Sequence, residues 1–189
     1  MTALEGALGA LLRFLEERRI PYMIIGGVAN LVWGEPRATL DVDASIMVEE
    51  TAWPALIKDL RQAFRIIPSN PLTFLKELHV LPIEMPDGTR IDLVWATLPY
   101  EHKAIARATL EEVAGHHARV CRPDDLIIHK ILSERLKDRE DVRAIVRHQL
   151  TRLDRRYLTR TLRAIERALG RSDLVSLLNT YFRHAKTGT

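Results

Sequence analysis

Apolar residues in the first third of the chain alternate between two periods. Spacings of three and four predict a helix over residues 3–18, whose apolar stripe consists of Leu4, Leu8, Leu11, Leu12 and Leu15. Residues 22–25 form a short apolar run typical of a strand, Gly26-Gly27 interrupts it, and residues 28–33 suit a second helix. The pattern predicts a strand, a glycine turn and a helix in succession.

Residues 40–48 alternate strictly and predict another strand. Its apolar face consists of Leu40, Val42, Ala44, Ile46 and Val48. The opposite face carries Asp41 and Asp43, because residues two apart on a strand point the same way.

The remaining pattern predicts the fold class. A helix over 51–64 is followed by a hairpin of residues 79–84 and 90–95 around Pro86-Asp87-Gly88, then by a helix over 100–108 and a strand over 119–121. Helices follow over 123–136, 138–149, 154–169 and 172–183. We therefore expect an α/β (α+β) core with a mixed sheet over residues 1–121 and a helical lobe over residues 122–189.

Composition and charge indicate a globular cytoplasmic protein. Hydrophobic residues make up 47% and charged residues 28%, which excludes disordered and fibrous classes. The single cysteine, Cys121, excludes an internal disulfide and a cysteine zinc site. The N-terminal apolar stretch is too short for a membrane span, and its first charge, Glu5, has the wrong sign for a signal peptide. We expect no membrane partner.

The charge distribution predicts a phosphate-rich partner for the C-terminal helices. Residues 142–189 carry 11 basic and 3 acidic side chains, whereas residues 1–141 carry 17 and 22. On the helix from residue 154, four arginines recur opposite an apolar stripe of Leu158, Leu162, Ile165 and Leu169. These arginines, Arg156, Arg160, Arg163 and Arg167, suit an RNA backbone such as that of tRNA. A solvated face or an acidic protein partner are the alternatives.

Three acids predict a metal site. Two carboxylates at i and i+2 on a strand are about 7 Å apart, a spacing that suits a pair of divalent ions. Asp92 lies in the apolar run 91–95, where an unpaired charge is costly. Asp92 is either a third metal ligand or a salt-bridged structural residue, and the sequence leaves both alternatives open. His116-His117 is interpreted as a solvated turn rather than a metal site, because neighbouring residues on a strand point to opposite faces.

The glycine turn can bind phosphate. Backbone N–H groups approach a ligand closely where side chains are absent, and a helix N-terminus favours negative charge. Walker A and Gly-x-Gly-x-x-Gly sequences are both missing, which excludes the commonest nucleotide-binding loops.

Four ordered motifs resemble the active-site signature of the DNA polymerase β nucleotidyltransferase superfamily, and most closely its small members similar to the AbiE toxin. They are Gly26-Gly27-Val28-Ala29-Asn30, then Arg37-Ala38-Thr39-Leu40-Asp41-Val42-Asp43, then Asp92, and finally Lys130 with the segment Arg135 to Asp141. Residues 22–141 are covered. Gly27 stands where many active members have serine.

The resemblance implies transfer of a nucleoside monophosphate from an NTP to an acceptor hydroxyl, on RNA such as tRNA or on protein. It implies that Asp41, Asp43 and Asp92 are catalytic and hold two Mg²⁺ or Mn²⁺ ions. Gly26, Gly27, Arg37, Thr39 and Lys130 are implied to bind the nucleotide, with Lys130 along the triphosphate; a surface lysine is the alternative. Asp138 or Asp141 is expected to orient the acceptor or a basic partner, or else to cap and pair at the surface.

The resemblance also implies a toxin–antitoxin role and an antitoxin partner. The main competing function is a non-catalytic nucleotide-binding or toxin-neutralising subunit of the same fold. Arg143 and His148 allow a weaker alternative, a helical ribonuclease of the HEPN type.

Overall fold

The structure is a computed structural model that describes residues 2–133 and 135–187. Its helices are α1 (Ala3–Glu17), α2 (Gly26–Trp33), α3 (Trp53–Ala63), α4 (Pro71–Leu78), α5 (Pro99–Ala106), α6 (Pro123–Ile131), α7 (Leu136–Gln149), α8 (Arg155–Leu169) and α9 (Leu174–Thr187). Its strands are β1 (Tyr22–Ile25), β2 (Val42–Ile46), β3 (Arg65–Ile66), β4 (Val80–Glu84), β5 (Arg90–Trp95), β6 (Thr109–Val113) and β7 (His116–Val120). None of the helices in these ranges is both long and apolar enough to cross a membrane.

The strands form one mixed sheet in the order β3-β4-β5-β2-β1-β7-β6. The central strand β2 pairs antiparallel with β1 and parallel with β5. The sequence prediction of a mixed α/β fold is therefore confirmed, including the β4–β5 hairpin, in which Glu84 pairs with Arg90.

Contacts group the described chain into two compact units. The first contains the described residues up to 28 and residues 38–121, and it includes the whole sheet. All four residues of β1 are buried, because helices cover the sheet. Within this unit four residues of the predicted stripe of α1 are buried, with Leu8, Leu11 and Leu15 fully inaccessible, whereas Leu4 is half-buried.

The second unit contains residues 29–37 and the described residues from 122 onward. Two buried carboxylates join its helices α6 and α8. Asp124 accepts a hydrogen bond from the backbone N–H of Asp154 at 2.7 Å, and Asp125 accepts one from the Tyr157 hydroxyl at 2.7 Å. The division of the chain into one domain over residues 1–121 and another over residues 122–189 stays a prediction.

The structure corrects the predicted strand over residues 40–48. Pairing of β2 with β5 begins at Val42, opposite Ile91. Leu40 lies before that pairing and is 81% exposed, so it is not part of the apolar face. Asp41 also precedes the strand and is exposed, whereas Asp43 is half-buried within it.

The interpretation of His116-His117 as a solvated turn is wrong. Both histidines lie in β7, and the turn that precedes them is Ala114-Gly115, where both residues have positive φ. The half-buried His116 ring packs on α1, where its Nε2 lies 2.9 Å from the carbonyl oxygen of Glu5. A Cβ at Gly9 would stand 2.6 Å from this ring, so glycine is what lets the histidine fit.

Candidate functional site

Asp43 and Asp92 lie side by side at the centre of the sheet. The parallel register of β2 and β5 pairs Asp43 with Asp92 directly. Register partners in a sheet project from the same face, so the two carboxylates share a face on neighbouring strands. Strand alternation and the hairpin signal together predicted this neighbourhood from sequence.

The absence of a side chain at Gly26 leaves space for the carboxylate of Asp43. Ile25, the last residue of β1, pairs with Asp43, and α2 begins at the next residue. Gly26 has φ of +64°, and a Cβ there would stand 1.9 Å from Oδ2 of Asp43. Only glycine combines this backbone conformation with the close approach of a carboxylate. The acids and the start of α2 therefore form one site within the first unit.

Gly27 is packed against Thr39 in the same way. A Cβ at position 27 would stand 2.2 Å from the Thr39 hydroxyl oxygen. That hydroxyl donates a long hydrogen bond of 3.3 Å to the backbone carbonyl of Asp41. The Thr39 hydroxyl therefore occupies the space where the side chain of a serine at position 27 would begin.

Arg90 is a charged member of this site that the sequence analysis did not identify. Its Nε donates a hydrogen bond of 2.9 Å to Oδ1 of Asp92. The signal was present in the sequence, because Arg90 and Asp92 are two residues apart on one strand and so share a face. Of the two alternatives left open for Asp92, the salt bridge is present in this structure.

The donor set fits a divalent cation, although the carboxylates are not closed around one. Mg²⁺ and Mn²⁺ prefer oxygen ligands, and three carboxylates at one end of β2 and β5 supply them. As the side chains stand, no three His, Cys, Asp or Glu residues of the described ranges are placed to hold a metal ion.

Lys130 lies in a buried ionic network of the second unit, so the alternative of a surface lysine is wrong. Its side chain is 4% exposed, and its Nζ donates hydrogen bonds to Asp138 Oδ1 at 3.0 Å and Asp141 Oδ2 at 2.6 Å. Asp138 also accepts hydrogen bonds from Ser133 at 2.7 Å and Arg135 at 2.6 Å. The contact of Lys130 with a triphosphate stays a prediction.

Both aspartates of this network are buried rather than at the surface, with residue exposures of 2% and 4%. Burial by itself raises the pKa of Asp138, but hydrogen bonds from Ser133 and Lys130 and the Lys130 charge outweigh it, so the pKa lies below its ordinary value. Burial likewise raises the pKa of Asp141, but hydrogen bonds from Arg37 and Lys130 outweigh that effect, so this pKa also lies below its ordinary value. Both side chains are therefore ionised at neutral pH.

Arg37 is joined to the same network. Its Nε and Nη2 donate to the two oxygens of Asp141 at 2.9 and 2.7 Å. A cavity of about 320 Å³ adjoins this pair and is lined by Glu35, Arg37, Glu140, Asp141, Arg143, Ala144 and Arg147. Asp141 thus orients the guanidinium of Arg37, whose nucleotide-binding role stays a prediction.

The predicted arginine row on α8 is exposed, and its members make no ion pair with any described residue. A shallow cavity of about 380 Å³ lies along it, lined by Arg156, Thr159, Arg160, Arg163 and Arg167. The buried side of α8 consists of Leu158, Thr161, Leu162 and Ile165. Leu169, which the sequence placed in the apolar stripe, is 59% exposed because the helix ends there at Gly170.

The sequence matches no protein-family model and no curated protein. The fold is nevertheless similar to that of solved structures. The antibiotic-resistance factor ANT(2'')-Ia matches with a TM-score of 0.55 and 20% identity, over 88% of this chain and 95% of that one. An antigenic nucleotidyltransferase-like protein from Paracoccidioides brasiliensis matches with a TM-score of 0.55 and 21% identity, over 94% and 92%.

A third structure is the lincomycin-bound lincosamide antibiotic adenylyltransferase LnuA. It matches with a TM-score of 0.51 and 14% identity, over 77% of this chain and 96% of that one. These likenesses show that the chain has the nucleotidyltransferase fold, as its motifs led us to expect.

Proposed function

We propose that this protein is a metal-dependent nucleotidyltransferase that moves a nucleoside monophosphate from an NTP to a hydroxyl group of an RNA acceptor. The observation that carries the proposal is the pairing of Asp43 with Asp92 beside the Gly26 start of α2. Carboxylates that share a face next to a helix N-terminus suit a reaction between a metal-bound triphosphate and a hydroxyl group.

The chain's own residues bind and align the triphosphate. Backbone N–H groups at the start of α2 donate hydrogen bonds to the phosphate oxygens of the triphosphate. The Thr39 hydroxyl, which lies beside Gly27, makes one further hydrogen bond to these oxygens. The acceptor oxygen attacks the α-phosphorus, the bond to pyrophosphate breaks, and Asp92 takes the hydroxyl proton. Catalysis then depends on alignment and charge cancellation.

Asp41, Asp43 and Asp92 would hold the divalent cations. When bound, Mg²⁺ or Mn²⁺ supplies positive charge against the triphosphate and the attacking oxygen. Asp43 lies within strand β2 and is half-buried, whereas Asp41 lies just before the strand and is exposed.

The direct test is incorporation of label. The protein is incubated with Mg²⁺, each α-labelled NTP in turn, and either total RNA or a protein extract. We expect label in RNA with at least one NTP and loss of that label when EDTA is added. Label in protein alone would replace the RNA acceptor with a protein one, and no label in any polymer would contradict the proposal.

A second candidate is a subunit of the same fold that binds nucleotide and transfers nothing. The ion pair between Arg90 and Asp92 favours it, since one proposed metal ligand is already neutralised. Thermal unfolding distinguishes the two, because ligands that bind only the folded state raise its melting temperature. A rise with NTP that is independent of Mg²⁺ would favour the non-catalytic subunit.

Thr39 provides a sharp test of the phosphate site. Thr39→Val keeps the shape but removes the hydroxyl beside Gly27, and we expect it to weaken NTP binding about 10-fold, the cost of one hydrogen bond to a charged group. Thr39→Ser, which keeps the hydroxyl, should bind within about 3-fold of wild type. Equal NTP affinity in the Val and Ser variants, measured by calorimetry, would show that the hydroxyl makes no such bond.

The arginine face of α8, formed by Arg156, Arg160, Arg163 and Arg167, is proposed as the RNA-binding surface. The first and last of these arginines are 11 positions apart, or about 16 Å along the helix. Arginines that make no ion pair with any residue of the described ranges can pair with successive phosphates and release counterions. In a toxin–antitoxin setting, which the AbiE-like motifs suggest, an acidic antitoxin would compete for this face.

Charge reversal of the face should abolish RNA binding. We expect Arg156→Glu, Arg160→Glu and Arg163→Glu combined to lower RNA affinity at least about 100-fold and to reduce the salt slope by about two to three, while NTP affinity is unchanged. The control combines Lys58→Glu, Arg61→Glu and Lys76→Glu, which changes the net charge equally on exposed parts of α3 and α4. If RNA affinity survives the triple reversal on α8, or falls equally in the two triple variants, RNA binds elsewhere on the protein.

A further inference from the structure

Arg90 is the cation that the structure places against the acid site. It is the first residue of β5, and its Nε donates to Asp92 Oδ1 at 2.9 Å along the same face of the strand. The Arg90 side chain is 51% exposed and that of Asp92 is 22% exposed. The pair therefore lies at the mouth of the acid site, where a ligand can reach it.

The obvious alternative partner of Arg90 is already engaged. Glu84 stands directly opposite Arg90 in the β4–β5 pairing. Its carboxylate, however, accepts hydrogen bonds from Arg65 on the adjoining strand β3. Since Arg65 neutralises Glu84, the guanidinium of Arg90 is directed along its own strand toward Asp92.

The influence of Arg90 extends to the other two acids. Asp92, which accepts the hydrogen bond from Arg90, pairs directly with Asp43 in the β2–β5 register, and Asp41 lies two residues before Asp43. One guanidinium thus lies within the electrostatic reach of all three carboxylates. It partly balances their mutual repulsion in the metal-free protein.

We propose that Arg90 is the counter-cation of the acid site, which holds Asp92 until a divalent ion displaces it and thereby sets the affinity of the site for metal. This inference rests on the proposed function, because it takes the three acids as metal ligands. Arg90 is a positioning residue in this scheme, since it acts through Asp92. A counter-cation offsets the negative charge of the carboxylates before a metal ion binds. Because the ion must displace it, the site binds free metal more weakly than it would without the counter-cation.

The test is Mn²⁺ binding without nucleotide, measured by electron paramagnetic resonance and calorimetry. Arg90→Gln removes the charge but keeps a hydrogen-bond donor, and we expect it to bind Mn²⁺ about five- to tenfold more tightly than wild type. The gain should shrink as salt is raised, because the pair is exposed. The metal-free melting temperature should fall in Arg90→Gln and recover when Mn²⁺ is added.

Two further variants make the result specific. Lys58→Gln removes an equal charge from an exposed position on α3 but leaves Arg65 paired with Glu84 and Arg90 paired with Asp92, so its Mn²⁺ affinity should stay within about twofold of wild type. Arg90→Lys keeps the charge and should also resemble wild type. These variants separate displacement at Asp92 from a general change in net charge.

The outcomes separate this inference from the proposed function. Tighter Mn²⁺ binding by Arg90→Gln supports the inference, also when wild type binds too weakly to measure. If wild type binds Mn²⁺ and Arg90→Gln binds it equally or more weakly, only the role of Arg90 is overturned. Absence of Mn²⁺ binding in both folded proteins overturns the inference and the metal-dependent function together.

Discussion

Asp43→Asn should lower nucleotidyl transfer about 10³-fold or more while the protein stays folded. The substitution keeps the shape of the side chain but removes a negative charge that a divalent cation needs. Asp43 is the acid whose position is best determined, because it pairs with Ile25 on one side and Asp92 on the other. The measurement is the rate of label transfer from an NTP under saturating Mg²⁺, with circular dichroism as the test of folding.

The matched control is Asp87→Asn in the β4–β5 turn. Asp87 is exposed and accepts a hydrogen bond from the backbone N–H of Thr89, a contact that asparagine can also make. Its replacement should leave transfer unchanged. Transfer at the wild-type rate by folded Asp43→Asn would remove Asp43 from the catalytic site and favour the non-catalytic subunit.

The neighbourhood of Asp43 and Asp92 could be predicted because local patterns determine it. Alternation on β2 sets which residues face one side, and the Pro86-Asp87-Gly88 turn sets the hairpin that brings Asp92 into the sheet. The first residue of β2 could not be predicted in this way. Leu40 continues the alternation but is 81% exposed, since strand pairing, which depends on residues far apart in the chain, begins only at Val42.

The residues that sequence reasoning missed depend on contacts far apart in the chain. Helix α4 and strand β3 lie in residues 65–78, where prolines and polar residues interrupt any periodicity. The burial of Lys130 depends on Asp141, eleven residues away, and on Arg37, 104 residues from Asp141. A charged pattern alone predicts a solvated helix face, because burial of charge becomes favourable only after such partners meet.

The largest effect on stability is expected at Asp141. This carboxylate accepts hydrogen bonds from both Arg37 and Lys130, and Asp141→Asn would leave two cations with one fewer negative charge in a buried network. Removal of one partner of a buried ion pair typically costs about 3–5 kcal/mol. We therefore expect urea unfolding at pH 7 to show a loss of that size. Glu35→Gln, which breaks the exposed pair with Arg147, should cost at most about 1 kcal/mol.

The pH dependence of this difference tests its electrostatic origin. The folded-state pKa of Asp141 lies below the ordinary value of 3.8, so the charged network stabilises the fold above that pH. The stabilisation should diminish below pH 3.8 and vanish as the pH falls through the folded-state pKa. Wild type and Asp141→Asn should therefore converge in unfolding free energy in acid, provided that both still unfold cooperatively. A difference that stays constant from pH 7 to pH 3 would mean that Asp141 acts through packing, whereas a loss below about 1 kcal/mol at pH 7 would contradict the stabilising role of the network.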